Sequence, residues 1–548
     1  MSAHPWWAAG TIYQVYPRSF QDANGDGIGD LAGIARRLDH FVALGVDAIW
    51  ISPIFPSPMV DFGYDVADYT GIAPMFGTLD DFDRLLAAAH ARGMKLLLDF
   101  VPNHSSDQHP WFRASRASRD DPRRDWYIWR DPAPGDGPPE TRPPNNWISD
   151  FGGSAWQWDA ATGQFYYHAM LREQPDLNWR NPGLRRAMLD AMRFWFDRGV
   201  DGFRVDILWH MVKAESFPDN PLNPDWQPGM ADMHKVLQLH STDQPEVFAI
   251  AAEMRALADS YGDKVLIGEI YLPVERLMAY YGKDGDGVHL PFNFQLIEAP
   301  WDARGLHRLI ADYEAALPRG GWPNWVLGNH DRPRIASRVG YAQARVAAML
   351  LLTLRGTPTI YQGDELGLAD GVIPPDRVQD PRELREPGLG FGRDPVRTPM
   401  PWDASPFAGF STVEPWLPLT PDWPTRNVAA EADDPASMLA LYRALLDLRR
   451  RHPALSIGAM TLIAAEGDVL AYERVHDGGR IVVALNLGAA EQSLALPKPY
   501  RALLSTRHPG AGRDPAPEGV GLDPGLRRDD DATLILAPDE GVILLMQD

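Results

Sequence analysis

Apolar residues in this chain come in short runs that end in polar ones, and the runs recur. "TIYQVYP" at 11–17 is followed by "DAIWISP" at 47–53, "MKLLLDFVPNH" at 94–104, "GFRVD" at 202–206, "KVLIGEI" at 264–270, "LPFNF" at 290–294, "NWVLGNHD" at 324–331 and "TPTIYQGDE" at 357–365. Each is short enough for a buried strand, and the stretches between several of them carry apolar residues at helical spacing. Met188, Met192, Trp195 and Phe196, just ahead of "GFRVD", are one such stripe. Strand and helix alternating eight times predict an α/β fold, a (β/α)8 TIM barrel. Beyond about residue 457 the rhythm changes to the two-residue alternation of "GRIVVALNL" and "TLILAPDEGVILLM". That pattern predicts a C-terminal antiparallel β-domain, a sandwich of sheets.

Composition narrows the functional classes. A chain of 548 residues is long enough for two to four domains at roughly 100 to 200 residues each. Its formal charge of -22, with 52 Lys and Arg against 74 Asp and Glu, excludes an extended phosphate-binding surface, so no nucleic acid is expected as a partner. There is no cysteine, hence no disulfide, no thiolate nucleophile and no sulfur-ligated metal. The start "MSAHPWWAAGTIYQVYP" lacks a basic leader and an apolar core, and no run of about 18 apolar residues occurs, so the expectation is a cytoplasmic protein without membrane contact. Monomer and dimer both remain open. Many of the 19 Trp and 50 Pro fall near "DWYIWRDPAPGDGPPETRPPNNWISDFGGSAWQWD" at 125–159. Aromatic faces beside polar groups grip sugar rings, although Trp also fills cores.

The candidate chemistry lies where barrel strands end, at the face that carries catalysis. Asp99, Asn103 and His104 close the third strand, Arg204 and Asp206 the fourth, Glu269 the fifth, and His330 with Asp331 the seventh. A lone Asp at a strand end is commonly a helix cap. Three carboxylates on neighbouring strand ends meet around one pocket, however, and with no thiol, no phosphate-cradling loop and no zinc motif they point to glycoside chemistry. One carboxyl protonates the leaving oxygen while another meets the developing oxocarbenium ion.

"DANGDGIGD" at 22–30 offers an oxygen at every second position, as a calcium loop does. A helix-flanked sensor loop needs a bidentate Glu at its twelfth position, which here is Gly33, so the sensor reading fails. What remains is a short structural turn in which Asp22, Asn24, Asp26 and Asp30 give side-chain oxygens and Ile28 a carbonyl. The expected ion is Ca2+, or Mg2+ in its place.

"DFVPNH", "GFRVD", "GEI" and "GNHD", in this order on these strands, resemble the four hallmark segments of glycoside hydrolase family 13, the α-amylase family. "QPDLNW" at 174–179, "GTPTIYQGDELG" at 356–367 and "RTPMPW" at 397–402 extend the resemblance over nearly the whole chain, and "QPDLN" and the acidic turn are similar to its α-glucosidase and oligo-1,6-glucosidase branch. The resemblance implies Asp206 as nucleophile, Glu269 as general acid and then base, and Asp331 as the carboxylate that binds the 2- and 3-hydroxyls. It implies Tyr64 as the ring under the terminal glucose, His104 and His330 as hydroxyl ligands, and Asp61 with Arg397 as the pair that grips the terminal 4-hydroxyl. Arg204, two residues before the nucleophile, is expected to point the same way and keep Asp206 ionised.

These assignments divide the chain into a barrel over 1–103 and 178–457, an inserted small domain over 104–177 and the β-domain over 458–548. The Gly-, Pro- and charge-rich segment at 507–531 is expected to be a mobile surface loop. The implied activity is a retaining, exo-acting α-glucosidase on short α-glucosides. Linkage is left open, because the position after the nucleophile, Val or Thr/Ala in the branch, is Ile207. Glucosyl transfer and sucrose processing are alternatives that use the same residues. A non-enzymatic transporter subunit of the family would carry a membrane span and lack these carboxylates.

Overall fold

The computed structural model describes residues 4–496, 500–507, 528–529 and 533–546. Eight parallel strands close into a barrel: β1 (Ile12–Val15), β2 (Ala48–Ile51), β3 (Lys95–Phe100), β4 (Gly202–Val205), β5 (Val265–Gly268), β6 (Leu290–Asn293), β7 (Asn324–Val326) and β8 (Thr357–Tyr361). Each pairs with its neighbour in sequence, and β8 returns to β1 through Ile12 opposite Thr359. The eight apolar runs are the eight strands.

Period-two alternation sorts their side chains between two cores. Tyr13, Ile49, Leu96, Leu98, Phe203 and Leu266 face outward and join the large cluster shared with the surrounding helices. Ile12, Ala48, Leu97, Val265, Ile267 and Phe292 form a separate cluster that fills the barrel. Gly202 belongs to the inward series because a Cβ there would lie 2.2 Å from the Val265 carbonyl oxygen and 3.0 Å from Leu97 Cδ2.

The same alternation makes the upper layer polar. Inward positions run Leu97 then Asp99 on β3, Gly202 then Arg204 then Asp206 along β4, and Val265, Ile267 then Glu269 along β5. Beyond the strand ends the ladder continues, with Asp206 N–H donating to Phe100 O at 2.8 Å and Glu269 N–H to Val205 O at 2.9 Å. Both carboxyls are therefore fixed by backbone bonds. The helix Pro182–Asp197 that delivers β4 is capped by Asn181 and buries Met188, Met192, Trp195 and Phe196, the predicted stripe.

After β3 the chain builds a small antiparallel sheet from Trp129–Arg130, Gln164–Tyr167 and Trp156–Asp159. Trp129, Trp147 and Trp156 are 6%, 1% and 4% exposed. They are the core of this segment and not a sugar platform. Near the C-terminus a five-stranded antiparallel sheet and a three-stranded one share an apolar cluster that includes Val469, Val482, Leu494, Leu534 and Leu544. The larger sheet is bonded to the helix Ile335–Thr353, with Arg345 donating to Thr506 O and Gln343 to Asp539. Most of the 507–531 segment lies outside the described residues. Among those described, no helix is long and apolar enough to cross a membrane.

Candidate active site

Five carboxyls, of Asp61, Asp99, Asp206, Glu269 and Asp331, and three guanidinium groups meet at the C-terminal mouth of the barrel. Arg204 is 1% exposed and stands at the centre. Its Nη1 donates to Asp99 at 2.9 Å and to Asp206 at 2.6 Å, while Nη2 reaches Glu269 Oε2 at 2.8 Å. Glu269 Oε2 also accepts the Ile207 N–H at 2.8 Å. That N–H is aimed by an unusual backbone, since Ile207 has φ of 31°, a left-handed conformation that costs a β-branched residue strain.

Arg204 does not simply hold Asp206 ionised, as the sequence led us to expect. Burial raises the pKa of Asp206 well above the ordinary range although Arg204 opposes it, and burial raises Glu269 too. One guanidinium faces three buried carboxyls and cannot neutralise all of them. The Glu269 charge adds to the rise of Asp206, and the Asp331 charge adds to that of Glu269. Burial lifts Asp99 to about 7, and its oxygens accept from Trp50 Nε1 at 3.2 Å and Tyr64 OH at 3.1 Å.

Asp331 is the counterexample. Burial would raise it, but the guanidinium groups of Arg397 and Arg393 hold it far below the carboxylate range. Arg397 Nη2 donates to Asp331 Oδ1 at 2.6 Å, and Arg397 Nε to the His330 carbonyl at 2.8 Å. Burial lowers His330 to about 3 and His104 to about 4, so both rings are neutral at physiological pH. Gln14 Nε2 lies 2.7 Å from His330 Nδ1, and the Tyr64 hydroxyl lies 2.7 Å from Nε2. His104 Nε2 lies 3.1 Å from the Tyr64 carbonyl oxygen, and Asn103 Nδ2 lies 3.2 Å from Nδ1.

A second arginine contacts Asp61. Arg397 bonds Asp331, whereas Asp61 Oδ1 accepts from Arg393 Nη2 at 2.7 Å and Asp61 Oδ2 from Gln174 Nε2 at 3.1 Å. Arg393 stands four residues earlier on the same turn, and its Nη1 also approaches Asp331 at 3.4 Å. The sequence reading passed over Arg393, Gln174 and Asp380. A signal for the first two was present in "GRDPVRTPMPW", where two arginines flank one short turn, and in the polar residues of "QPDLN", whereas Asp380 lies in neither stretch.

Away from the cleft, the 22–30 turn satisfies much of its own backbone. Asp22 accepts from the N–H groups of Asn24, Gly25 and Gly27 at 3.0, 2.7 and 2.9 Å, and from Ser411 Oγ at 2.6 Å. Asp30 accepts from Ala23 N–H at 3.0 Å and caps the next helix through Gly33 N–H at 2.6 Å. Asn24 and Asp26 accept from Asp26 N–H and Ile28 N–H, both at 2.9 Å. The donor chemistry, three carboxylates with an amide oxygen and a carbonyl, fits a hard cation. Among the described residues, no three acidic or His side chains already converge as a metal cage.

The family model for the alpha amylase catalytic domain matches residues 14–458, and a domain of unknown function, DUF3459, matches 456–522. A probable alpha-glucosidase of Rhizobium meliloti (strain 1021) is 41% identical over 90% of this chain and 91% of its own length. An oligo-1,6-glucosidase of Halalkalibacterium halodurans is 39% identical, covering 88% of this chain and 90% of its own. The solved structure of an alpha-glucosyl transfer enzyme superposes with a TM-score of 0.91 at 38% identity, over the full length of both chains.

Proposed function

From the premise that this chain belongs to the α-amylase family of glycoside hydrolases, family 13, we propose that it is a retaining α-glucosidase that removes one glucose at a time from the non-reducing end of short α-glucosides. The observation that carries the exo mode is the wall formed by Arg393 between Asp61 and Asp331. A guanidinium bonded at 2.7 Å to a carboxylate that is itself 4% exposed supports a pocket closed beyond the terminal sugar.

In this reading the proton held by the Asp206–Glu269 pair sits on Glu269 when substrate arrives. Asp206 keeps the 2.6 Å contact to Arg204, while the anionic Asp331 pushes Glu269 towards its protonated form. An Asp206 oxygen attacks the anomeric carbon as the bond to the leaving oxygen breaks, and Glu269 delivers its proton to that oxygen. Glu269, now a carboxylate steadied by Arg204 and by Ile207 N–H, takes a proton from water. The water oxygen attacks the glucosyl-Asp206 ester, α-glucose leaves, and Asp206 is restored with Glu269 reprotonated. Asp331 and the neutral His104 and His330 accept or donate to the sugar hydroxyls, and Tyr64 lies beneath the ring.

Glucosyl transfer differs only in which hydroxyl attacks the ester, and the likeness to an alpha-glucosyl transfer enzyme favours it as a second reading. A divalent ion in the 22–30 turn, bound by Asp22, Asn24, Asp26, Asp30 and the Ile28 carbonyl, would stiffen that loop; Ca2+ is the natural candidate and Mg2+ the alternative. The cysteine-free composition suits a reducing compartment such as the cytoplasm.

Maltoheptaose digestion tests the exo mode. Glucose and maltohexaose as the first products are expected. Early maltotriose and maltotetraose would refute a closed pocket.

A further inference from the structure

Arg393 is held on its far side by a residue that does not face the substrate. Asp380 is 0% exposed, and its carboxylate accepts the Arg393 backbone N–H at 2.6 Å, Nε at 3.1 Å to both oxygens and Nη2 at 2.6 Å. The return contact comes from Asp394, whose Oδ2 accepts the N–H groups of Gln379 and Asp380 at 2.6 and 2.9 Å. These reciprocal bonds pinch the 380–394 loop shut at its base, with Arg393 at the pinch.

The loop is also anchored at its tip. Glu386 Oε1 accepts Asp232 N–H at 3.0 Å, and Arg385 Nη2 approaches the Gly152 carbonyl at 3.4 Å. Arg393 therefore has little freedom except through its own side chain, and Asp380 removes most of that by a two-oxygen contact along one edge of the planar guanidinium. Burial alone would raise the Asp380 carboxyl, but Arg393 holds it down to about 2, so the contact is ionic throughout the physiological range. The remaining Nη2 and Nη1 hydrogens point to Asp61 and Asp331.

We propose that Asp380 is a positioning residue that aims the Arg393 guanidinium between Asp61 and Asp331 and thereby sets how strongly the enzyme recognises the terminal 4-hydroxyl of its substrate. This rests on the reading that Asp61 and Arg393 grip that hydroxyl. Without Asp380 the guanidinium is drawn onto Asp61 and Asp331, the two carboxylates left to it, and occupies the lone pairs that the sugar needs.

D380N tests the proposal cleanly. Asn keeps the size and one acceptor oxygen, which can still cap the helix Pro381–Arg385 where Asp380 accepts Arg382 N–H at 3.2 Å, while it removes the charge and the second acceptor. The substrates are p-nitrophenyl α-glucopyranoside and its 4-deoxy analogue. Wild-type enzyme is expected to favour the hydroxylated substrate by at least about tenfold in kcat/KM, the cost of leaving buried polar partners unpaired. In D380N that preference should narrow to within about threefold, mainly through KM, with the 4-deoxy analogue changed by less than about threefold. An equal fall on both substrates would overturn the proposal and mark Asp380 as a structural residue only.

R393A separates the two levels. If R393A narrows the preference and D380N does not, the role of Asp380 falls and the hydroxyl reading stands. If R393A leaves the preference intact, the hydroxyl reading fails and takes this proposal with it. Should D380N not fold, D380E keeps the charge but displaces the guanidinium by a methylene, and the same narrowing is expected.

Discussion

At the scale of the residue, the decisive fact is that one buried guanidinium serves three carboxyls. Arg204 contacts Asp99, Asp206 and Glu269 at once, so none of the three has a counter-ion to itself. In the proposed mechanism Asp206 can act as nucleophile only with the shared proton on Glu269. Asp206→Asn removes the atom that forms the glucosyl ester, and turnover of every α-glucoside should fall below about a hundredth of wild type, measured after excluding deamidation. Glu269→Gln should still release nitrophenol in the first half-reaction, because that leaving group needs little protonation. Activity of Asp206→Asn above the hundredth would mean that another group attacks. These three carboxyls were legible in the sequence because each lies at a strand end of known parity. The arginines were not. Arg393 and Arg397 stand on one turn four residues apart, and nothing in "GRDPVR" says which guanidinium turns to Asp61; the choice is made by Asp380, brought in by tertiary folding.

At the scale of the element, what sequence revealed best was whatever repeats. The strands alternate strictly and are buried on both faces, so short apolar runs marked them, and inward parity then placed Asp99, Arg204 and Glu269 on the inner face of the barrel. The Trp-rich segment after β3 has no such period. Its rings read equally well as a sugar platform or a core, and only their burial decides for the core. The 22–30 turn lies between these cases. Its alternating oxygens are plain in the sequence, yet folded they accept the turn's own N–H groups, with Gly25 and Gly27 at φ of 82° and 88° supplying the curvature. An ion bound there in the native turn alone, as proposed, would stabilise the fold by mass action, by about 2.7 kcal/mol at a free concentration 100 times its dissociation constant. Chelation should therefore lower the melting temperature while leaving the rate at 25 °C nearly unchanged, since the turn packs against Ser411 and not against the cleft. An unchanged melting temperature, with no ion detected in purified protein, would reduce the turn to a hydrogen-bonded loop.

At the scale of the whole molecule, buried titratable groups of both kinds set how stability depends on pH. His104, His109 and His168 are lowered by burial to about 4, and His289 and His330 to about 3. The unfolded chain protonates such groups near 6.5, so below that pH it binds more protons than the native state, and these residues make stability fall as pH drops towards 3. The acids act in the opposite sense. Burial raises Asp65 and Asp150 to about 6 and Asp99, Asp364 and Glu431 to about 7. Their unfolded counterparts release protons near 4, so the native state holds more protons between about 4 and 7, and stability falls as pH rises through that window. Over roughly pH 4.5 to 6 the two sets oppose each other and the slopes largely cancel. Below about 4 only the histidines still respond, joined by the paired Asp331 and by Asp380, which is held down to about 2 by Arg393 against burial, so stability must drop. Above about 6.5 the unfolded histidines have already lost their protons, and the raised acids alone set the slope, which is downward until they have ionised. The melting temperature should therefore form a plateau on the acidic side of neutrality and decline on both flanks. Asp364→Asn makes the alkaline flank specific, because it deletes one raised acid that is not among the assigned sugar ligands, beside Arg334 at 3.8 Å, and should flatten the fall between pH 6 and 8. A melting temperature that climbs steadily from pH 5 to 8 would show that the buried acids do not hold their protons in the native state.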